Sequence, residues 1–166
     1  MRVQGWFAAI AVGLCAAACS QGTDQHASAP VEGAYQISFP STLTAVLTDS
    51  VEVYVFDAGA PGADCLSLVA TRQAQAALPV APALLEDTGA IALCQLASTP
   101  LSLSFGRRSV LVIAQHGGTD LLSGCVQAVV EADSGMLTIY LARSNLTVPL
   151  PTTTCTSVGQ KCAGGC

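Results

Sequence analysis

Val51-Glu52-Val53-Tyr54-Val55-Phe56-Asp57 alternates β-branched valines with larger side chains. Successive residues of a strand point to opposite faces, so Val51, Val53 and Val55 define one apolar face. Glu52, Tyr54 and Phe56 point the other way and make a face that is only partly polar. Gly59, Pro61 and Gly62 then close the strand in a turn. The same period of two recurs at Tyr35–Phe39, which Pro40 ends because it cannot donate to a ladder. It recurs again at Leu101–Phe105 and Met136–Leu141. Ser109–Gln115 is a continuous apolar run, expected to be a central strand, and Ile91–Leu96 and Val126–Val130 read as further strands. Gly117-Gly118-Thr119-Asp120 marks a hairpin and Asp133-Ser134-Gly135 a tight turn. One segment differs. Leu66, Val69 and Ala70 fall at helical spacing behind a capping Asp64, so one short helix is expected within 64–77. Leu78–Gly89, with Pro79 and Pro82, reads as a loop. About six to eight short strands spaced roughly ten residues apart predict a mainly β fold, an antiparallel β-sandwich. Strands alternating with long helices, the mark of an α/β fold, are absent from the pattern.

The chain has 166 residues, 51% of them apolar and only 10% charged, with a formal net charge of −5. That composition is too hydrophobic for a disordered acidic tail. It offers no basic patch for nucleic acid, and aromatic residues at 5% are too scarce for base-stacking platforms. No nucleic-acid partner is expected.

The N-terminus reads as an address. Arg2 is the only charge before Asp24, and Trp6–Ala18 is almost free of polar side chains. A short positive region followed by such a run is the pattern of a secretory signal. It is shorter than the ~20 residues of a comfortable membrane span. Leu14-Cys15-Ala16-Ala17-Ala18-Cys19 resembles the lipobox of bacterial lipoproteins, in which small residues precede a cysteine that receives diacylglycerol. It departs from that pattern at Ala16, where leucine is commonest. The resemblance implies cleavage before Cys19 and lipidation there; the alternative is an ordinary signal peptide cut near Ala18. The implied organisation is a lipoprotein signal at 1–18, a flexible tether at 19–32, a β-sandwich domain at 33–148 and a cysteine-rich tail at 149–166. Ser20 after the cysteine is not the aspartate that resembles an inner-membrane retention signal in such lipoproteins, so the resemblance implies outer-membrane anchoring.

Of eight cysteines, the lipobox resemblance implies that Cys15 leaves with the signal and that Cys19 would be consumed by lipid. Cys65, Cys94, Cys125, Cys155, Cys162 and Cys166 remain. An even number in an exported chain reads as a disulfide framework. Three lie in the domain and three in the tail, so an odd number of bridges must join the two. Cys65 with Cys125 is the preferred domain pair, both lying at loop–strand junctions, and Cys94 then bridges to the tail. A metal site is disfavoured, because three tail cysteines without a nearby histidine supply fewer than four ligands. No cofactor is expected.

Ile37–Thr42, Val51–Asp57, Arg108–Ala114 and Ser123-Gly124-Cys125 with its following strand carry a wider resemblance. Over Gln36–Leu141 the chain resembles exported lipoproteins of unassigned activity that are abundant in myxobacteria. The resemblance implies an immunoglobulin-like or transthyretin-like sandwich on a lipid anchor, and carries no catalytic residue or ligand.

Chemistry is sparse. His116-Gly117-Gly118 resembles the oxyanion loop of esterases, but the Gly-x-Ser-x-Gly elbow is missing. Ser123, His116 and Asp120 are the residues from which a triad would be assembled; an exposed hairpin histidine is the simpler reading. Asp57 and Asp64 bracket a turn and offer oxygen ligands for calcium, without the graded spacing of an EF-hand. Glu86-Asp87, and Glu131 with Asp133, are acidic pairs in loops. Arg107-Arg108 is a small basic spot, and Asn145-Leu146-Thr147 matches a glycosylation acceptor. The expectation is a non-enzymatic, lipid-anchored envelope protein whose partner is an envelope protein or a glycan. A small-ligand module for carbohydrate or calcium, and a hydrolase using His116, are the alternatives.

Overall fold

The computed structural model describes residues 35–99, 103–132, 134–144 and 149–166. The signal, Cys19, the tether, Asp133 and Asn145 lie outside the described residues. The elements are β1 (Tyr35–Ser38), α1 (Thr42–Leu47), β2 (Ser50–Asp57), α2 (Cys65–Gln73), β3 (Leu84–Asp87), β4 (Ile91–Ala92) and a 3₁₀ turn (Leu93–Ser98). They continue with β5 (Gly106–His116), β6 (Thr119–Val130), β7 (Leu137–Tyr140), β8 (Ala142–Arg143) and α3 (Val158–Cys162).

A six-stranded antiparallel sheet runs in the order β3-β2-β5-β6-β8, with β4 also pairing β2. The expected central strand is central: β5 pairs β2 along Ser50–Asp57 and β6 from Gly106 to His116. Gly117 and Gly118 both take positive φ and make the hairpin between β5 and β6, a conformation that glycine adopts without Cβ strain.

Both faces of this sheet are buried. On one, Val51, Val53 and Val55 align with Ala114, Val112 and Val110, and Leu122 and Val130 extend the layer. Above it lies a two-stranded parallel pair, β1 with β7, which contributes buried Ile139 and half-buried Tyr35, Ile37 and Leu137. On the other face Phe56, Leu111 and Ile113 pack against Ala63 and Leu68, so α2 and its approach cover the sheet.

The antiparallel β architecture is thus seen in the large sheet, but the described residues are mixed α/β, and among them no second antiparallel sheet faces the first. The reason lies in β5. Its outward residues Leu111 and Ile113 are as apolar as its inward valines, and a face like that must be covered. Helix α2 provides the cover. It falls where expected: the Asp64 carboxylate accepts from Ser67 N at 2.9 Å and from Ser67 Oγ at 2.6 Å.

Residues 137–143 behave as one strand that changes layers. β8 pairs Leu122 and Ser123 of β6, and β7 pairs β1 in the second layer. The crossing happens over Gly124, where an added Cβ would fall inside contact distance of the Tyr140 carbonyl.

Three strand expectations change. Leu78–Gly89 is not all loop, because Leu84–Asp87 pairs the edge of β2 after the turn containing Pro79 and Pro82. Ile91–Leu96 is a strand for two residues only; the chain then tightens into the 3₁₀ turn that presents Cys94 to Cys162. Of Leu101–Phe105, Leu103 makes one isolated bridge and is fully buried, while 101 and 102 lie outside the described residues. Helix α1 comes without a hydrophobic-period warning. It forms because Ser41 and Thr44 build a capping box at its start.

All six cysteines of the described residues are paired: Cys65 with Cys125, Cys94 with Cys162, and Cys155 with Cys166. One bridge staples α2 to β6, one fastens the tail to the domain, and one closes the tail on itself. Fully paired cysteines are the state of an oxidising compartment. No helix among the described residues is long and apolar enough to cross a membrane.

Candidate functional site

Two clefts flank the β5–β6 hairpin, and the ion pairs of Arg72 with Asp120 and of Asp49 with Lys161 and His116 lie around them. The first lies between the hairpin and the tail. It encloses about 480 Å³ and is lined by Leu47, His116, Thr152, Thr154, Lys161 and Cys166 among others.

Its chemistry starts at the end of α1. The last carbonyls of a helix have no partner within it and need donors from elsewhere. The Lys161 ammonium donates to Val46 O and to Thr48 O, each at 2.8 Å, and to the Asp49 carboxylate at 2.8 Å. An ammonium has three N–H donors, so Lys161 is saturated. The His116 ring supplies the next donor: Nδ1 lies 2.7 Å from Leu47 O and 3.0 Å from Asp49 Oδ2. Both neighbours are acceptors, so Nδ1 carries the hydrogen. Gly117 N donates to the same Asp49 oxygen at 3.0 Å. Burial pushes the Asp49 carboxyl up, but hydrogen bonds from Lys161 and Gly117 and the positive charge nearby outweigh it and hold it below the usual carboxylate range. Val158 of α3 packs against the core beside this cluster, so the tail is docked on the domain.

The second cleft lies on the α2 face, encloses about 420 Å³ and is lined by residues of α2, the hairpin and β8's end. Arg72, in the last turn of α2, grips Asp120 with two bonds, Nε–Oδ2 at 2.6 Å and Nη2–Oδ1 at 2.9 Å. Gln115 Nε2 donates to the same carboxylate at 3.2 Å. Glu52 Oε2 lies 3.8 Å from Arg72 and accepts from the Tyr54 hydroxyl at 2.8 Å. Burial, and then Glu52, push the Tyr54 phenol far above its ordinary range. The bonds to Asp120 chiefly raise the Arg72 guanidinium.

These partnerships separate the residues proposed for a triad. Gln115 and His116 are adjacent on β5 and point to opposite faces. Asp120 goes with Gln115 and Arg72; His116 goes with Leu47 and Asp49. Ser123 lines the second cleft, away from the His116 ring's partners. Among the described residues no hydroxyl hydrogen-bonds that ring.

The other candidates have local duties. Asp57 accepts from Gly59 N at 3.0 Å and Asp64 caps α2, so the pair thought to hold calcium is occupied by its own chain. Asp87 accepts from Gly89 N at 2.8 Å. Arg108 folds back onto Ser104 O and Arg107 O and onto Phe105 O, bracing the entry to β5. No group of three or more His, Cys, Asp or Glu placed to hold a metal occurs among the described residues.

Sequence reading misses Asp49, Lys161 and Arg72. Nothing in their spacing signals a partnership, because their partners lie 112 residues away for Asp49–Lys161 and 48 away for Arg72–Asp120. Comparison with known proteins finds no matching family model, no matching curated protein and no matching solved structure.

Proposed function

We propose that the protein is a lipid-anchored, non-enzymatic component of the cell envelope, held at the outer membrane through Cys19 and presenting its loops to an envelope partner. The observation that carries this reading is the set of three disulfides, one within the domain, one fastening the tail to it and one within the tail, together with a signal-like N-terminus that ends in a lipobox-like cysteine. Oxidised cysteines accord with export. The engagement of His116, Asp49 and Lys161 with one another supports a structural duty for those groups rather than a catalytic one. The chain passes from the second layer at Tyr140 into the large sheet at Ala142, and one strand shared between two β layers supports kinship with immunoglobulin-like or transthyretin-like sandwiches.

The test is the intact mass of protein extracted from membranes, with and without reductant. The expected chain starts at Cys19, carries acyl chains, and gains ~6 Da on reduction as three bridges take up hydrogen. A chain starting at Ser20 or later, without lipid, overturns the anchor.

A second reading is a module that binds a small ligand. The second cleft favours it, because Ser144 Oγ on its wall is buried without a partner.

A further inference from the structure

Five polar side chains are buried in the described core: Thr44, Thr48, Ser109, Gln115 and Ser123. Thr44, Thr48 and Gln115 make named hydrogen bonds, and Ser109 Oγ, away from the clefts, is buried without one. The Ser123 hydroxyl, on a residue only 7% exposed, has none among the described residues and lines the second cleft. Ser144 lines the same cleft, and its Oγ is buried without a partner. A buried hydroxyl without a partner costs roughly 1–3 kcal/mol, so native proteins keep few of them. Ser144 Oγ is such a group on this cleft wall, and the Ser123 hydroxyl beside it opens on the cleft with its bonding capacity unused, so a polar occupant would satisfy both.

The rest of the lining says what. The cleft's two charges are Arg72 and Asp120, and they neutralise each other through the two-bond grip. A net charge on the ligand therefore meets no counter-charge. The remaining polar groups are amides and hydroxyls, which donate and accept in equal measure. At about 420 Å³ the space is of small-molecule size. The backbone adds an independent sign. Gln75 ends α2 in the left-handed region, at φ 55°, with Gln75 N bonded to Arg72 O and Ala76 N to Thr71 O. Glycine is the usual residue for that helix-ending position and would be less strained. Glutamine places an amide on the cleft instead.

We propose that this cleft binds a small, uncharged, polyhydroxylated ligand of mono- or disaccharide size, with Ser123 and Ser144 as hydroxyl partners and the Arg72–Asp120 pair as a fixed donor–acceptor edge. The proposal rests on the reading of the domain as a small-ligand module and is independent of the lipid anchor.

The test uses the full chain in a detergent without a sugar headgroup. Neutral mono- and disaccharides are screened by saturation-transfer NMR at about 10 mM, which detects affinities at the millimolar end of the scale. At least one sugar is expected to receive saturation. Its affinity is expected to fall about tenfold in Ser123→Val and in Ser144→Ala, the loss that goes with one removed hydrogen bond. Ser144→Ala alone decides if Ser123→Val does not fold. Binding that persists unchanged in both variants overturns the site and leaves the ligand-binding reading standing, with the His116 cleft next to be tested. No saturation transfer to any sugar in the folded protein overturns both. A crystal structure showing only water between Ser123 and Ser144 after sugar soaking also overturns the site.

Discussion

The Lys161 ammonium reaches the Asp49 carboxylate at 2.8 Å although 112 residues separate them, and in doing so it closes the C-terminal end of α1. Asp49 is about half exposed, so the ion pair by itself contributes little. The two carbonyl bonds add to it. Lys161→Met removes all three, and the expected cost is about 1–2 kcal/mol. Differential scanning calorimetry should show a Tm roughly 3–8 °C lower. An unchanged Tm would mean that the tail is held by its disulfides alone.

Acid should undo part of the same contact. The folded-state value of Asp49 lies below that of a free carboxyl, ~3.9, so the folded protein binds that proton less readily than the unfolded chain does. The contribution is therefore complete above the unfolded value and is lost as pH falls through the lowered folded one. Urea titrations of the parent chain and Asp49→Asn should differ at pH 5 and above. The gap should close as the pH drops below about 4.

The large sheet was legible because its signal is local. Val51–Asp57 and Ser109–Gln115 announce strands by composition, Gly117-Gly118 announces the hairpin, and Asp64 announces α2. What covers that sheet was not legible. The apolar outer face of β2 and β5 asks for cover, and no local pattern says whether helix or sheet provides it. Helix α1 is too short for an apolar stripe to show, and it depends on Lys161 and His116 from distant parts of the chain. The polar clusters escaped for the same reason. Asp49, Arg72 and Lys161 look like ordinary surface charges until the topology brings their partners to them.

The bridges should differ sharply in worth. Cys65–Cys125 closes a loop with a sequence separation of 60, for which the chain-entropy model gives about 4 kcal/mol. It also staples α2 over Leu111 and Ile113, with Cys125 packed in that cluster. Cys155–Cys166 spans 11 residues within the exposed tail. The double substitution Cys65→Ala/Cys125→Ala should lower the global unfolding midpoint by roughly 10 °C or more. Cys155→Ala/Cys166→Ala should leave that midpoint nearly unchanged and raise hydrogen exchange in the tail alone.

Gly124 tests the layer-changing strand. Its φ is not in the left-handed region, so the demand is steric: Tyr140 O and Leu141 Cδ2 occupy the space of a Cβ. Backbone cannot retreat as a flexible side chain can. Gly124→Ala should cost about 1–3 kcal/mol or more, as overpacking does. Gly117→Ala meets no neighbour but would hold alanine at φ 56°, at a smaller cost of about 1 kcal/mol. Guanidinium denaturation of the two variants should rank them in that order.

Arg72 and Asp120 should behave as a coupled pair, unlike Lys161 and Asp49. Their side chains are 27% and 23% exposed, and two bonds, one to each carboxylate oxygen, join the guanidinium to the carboxylate. Planar two-bond pairing is stronger and more directional than a point contact. It fastens the last turn of α2 to the hairpin, so either single substitution strands a half-buried charge. A double-mutant cycle of Arg72→Met and Asp120→Asn should give a coupling energy of about 1–3 kcal/mol. Salt separates the two cases. At 1 M the screening length is about 3 Å, which suppresses exposed pairs far more than shielded ones. The Arg72–Asp120 coupling should therefore keep more than half of its low-salt value at 1 M NaCl, whereas that of Lys161–Asp49 should fall close to zero. Equal loss in both would mean that water reaches the Arg72 fork freely and that α2 is held by Leu68 and the Cys65–Cys125 bridge without help from the ion pair.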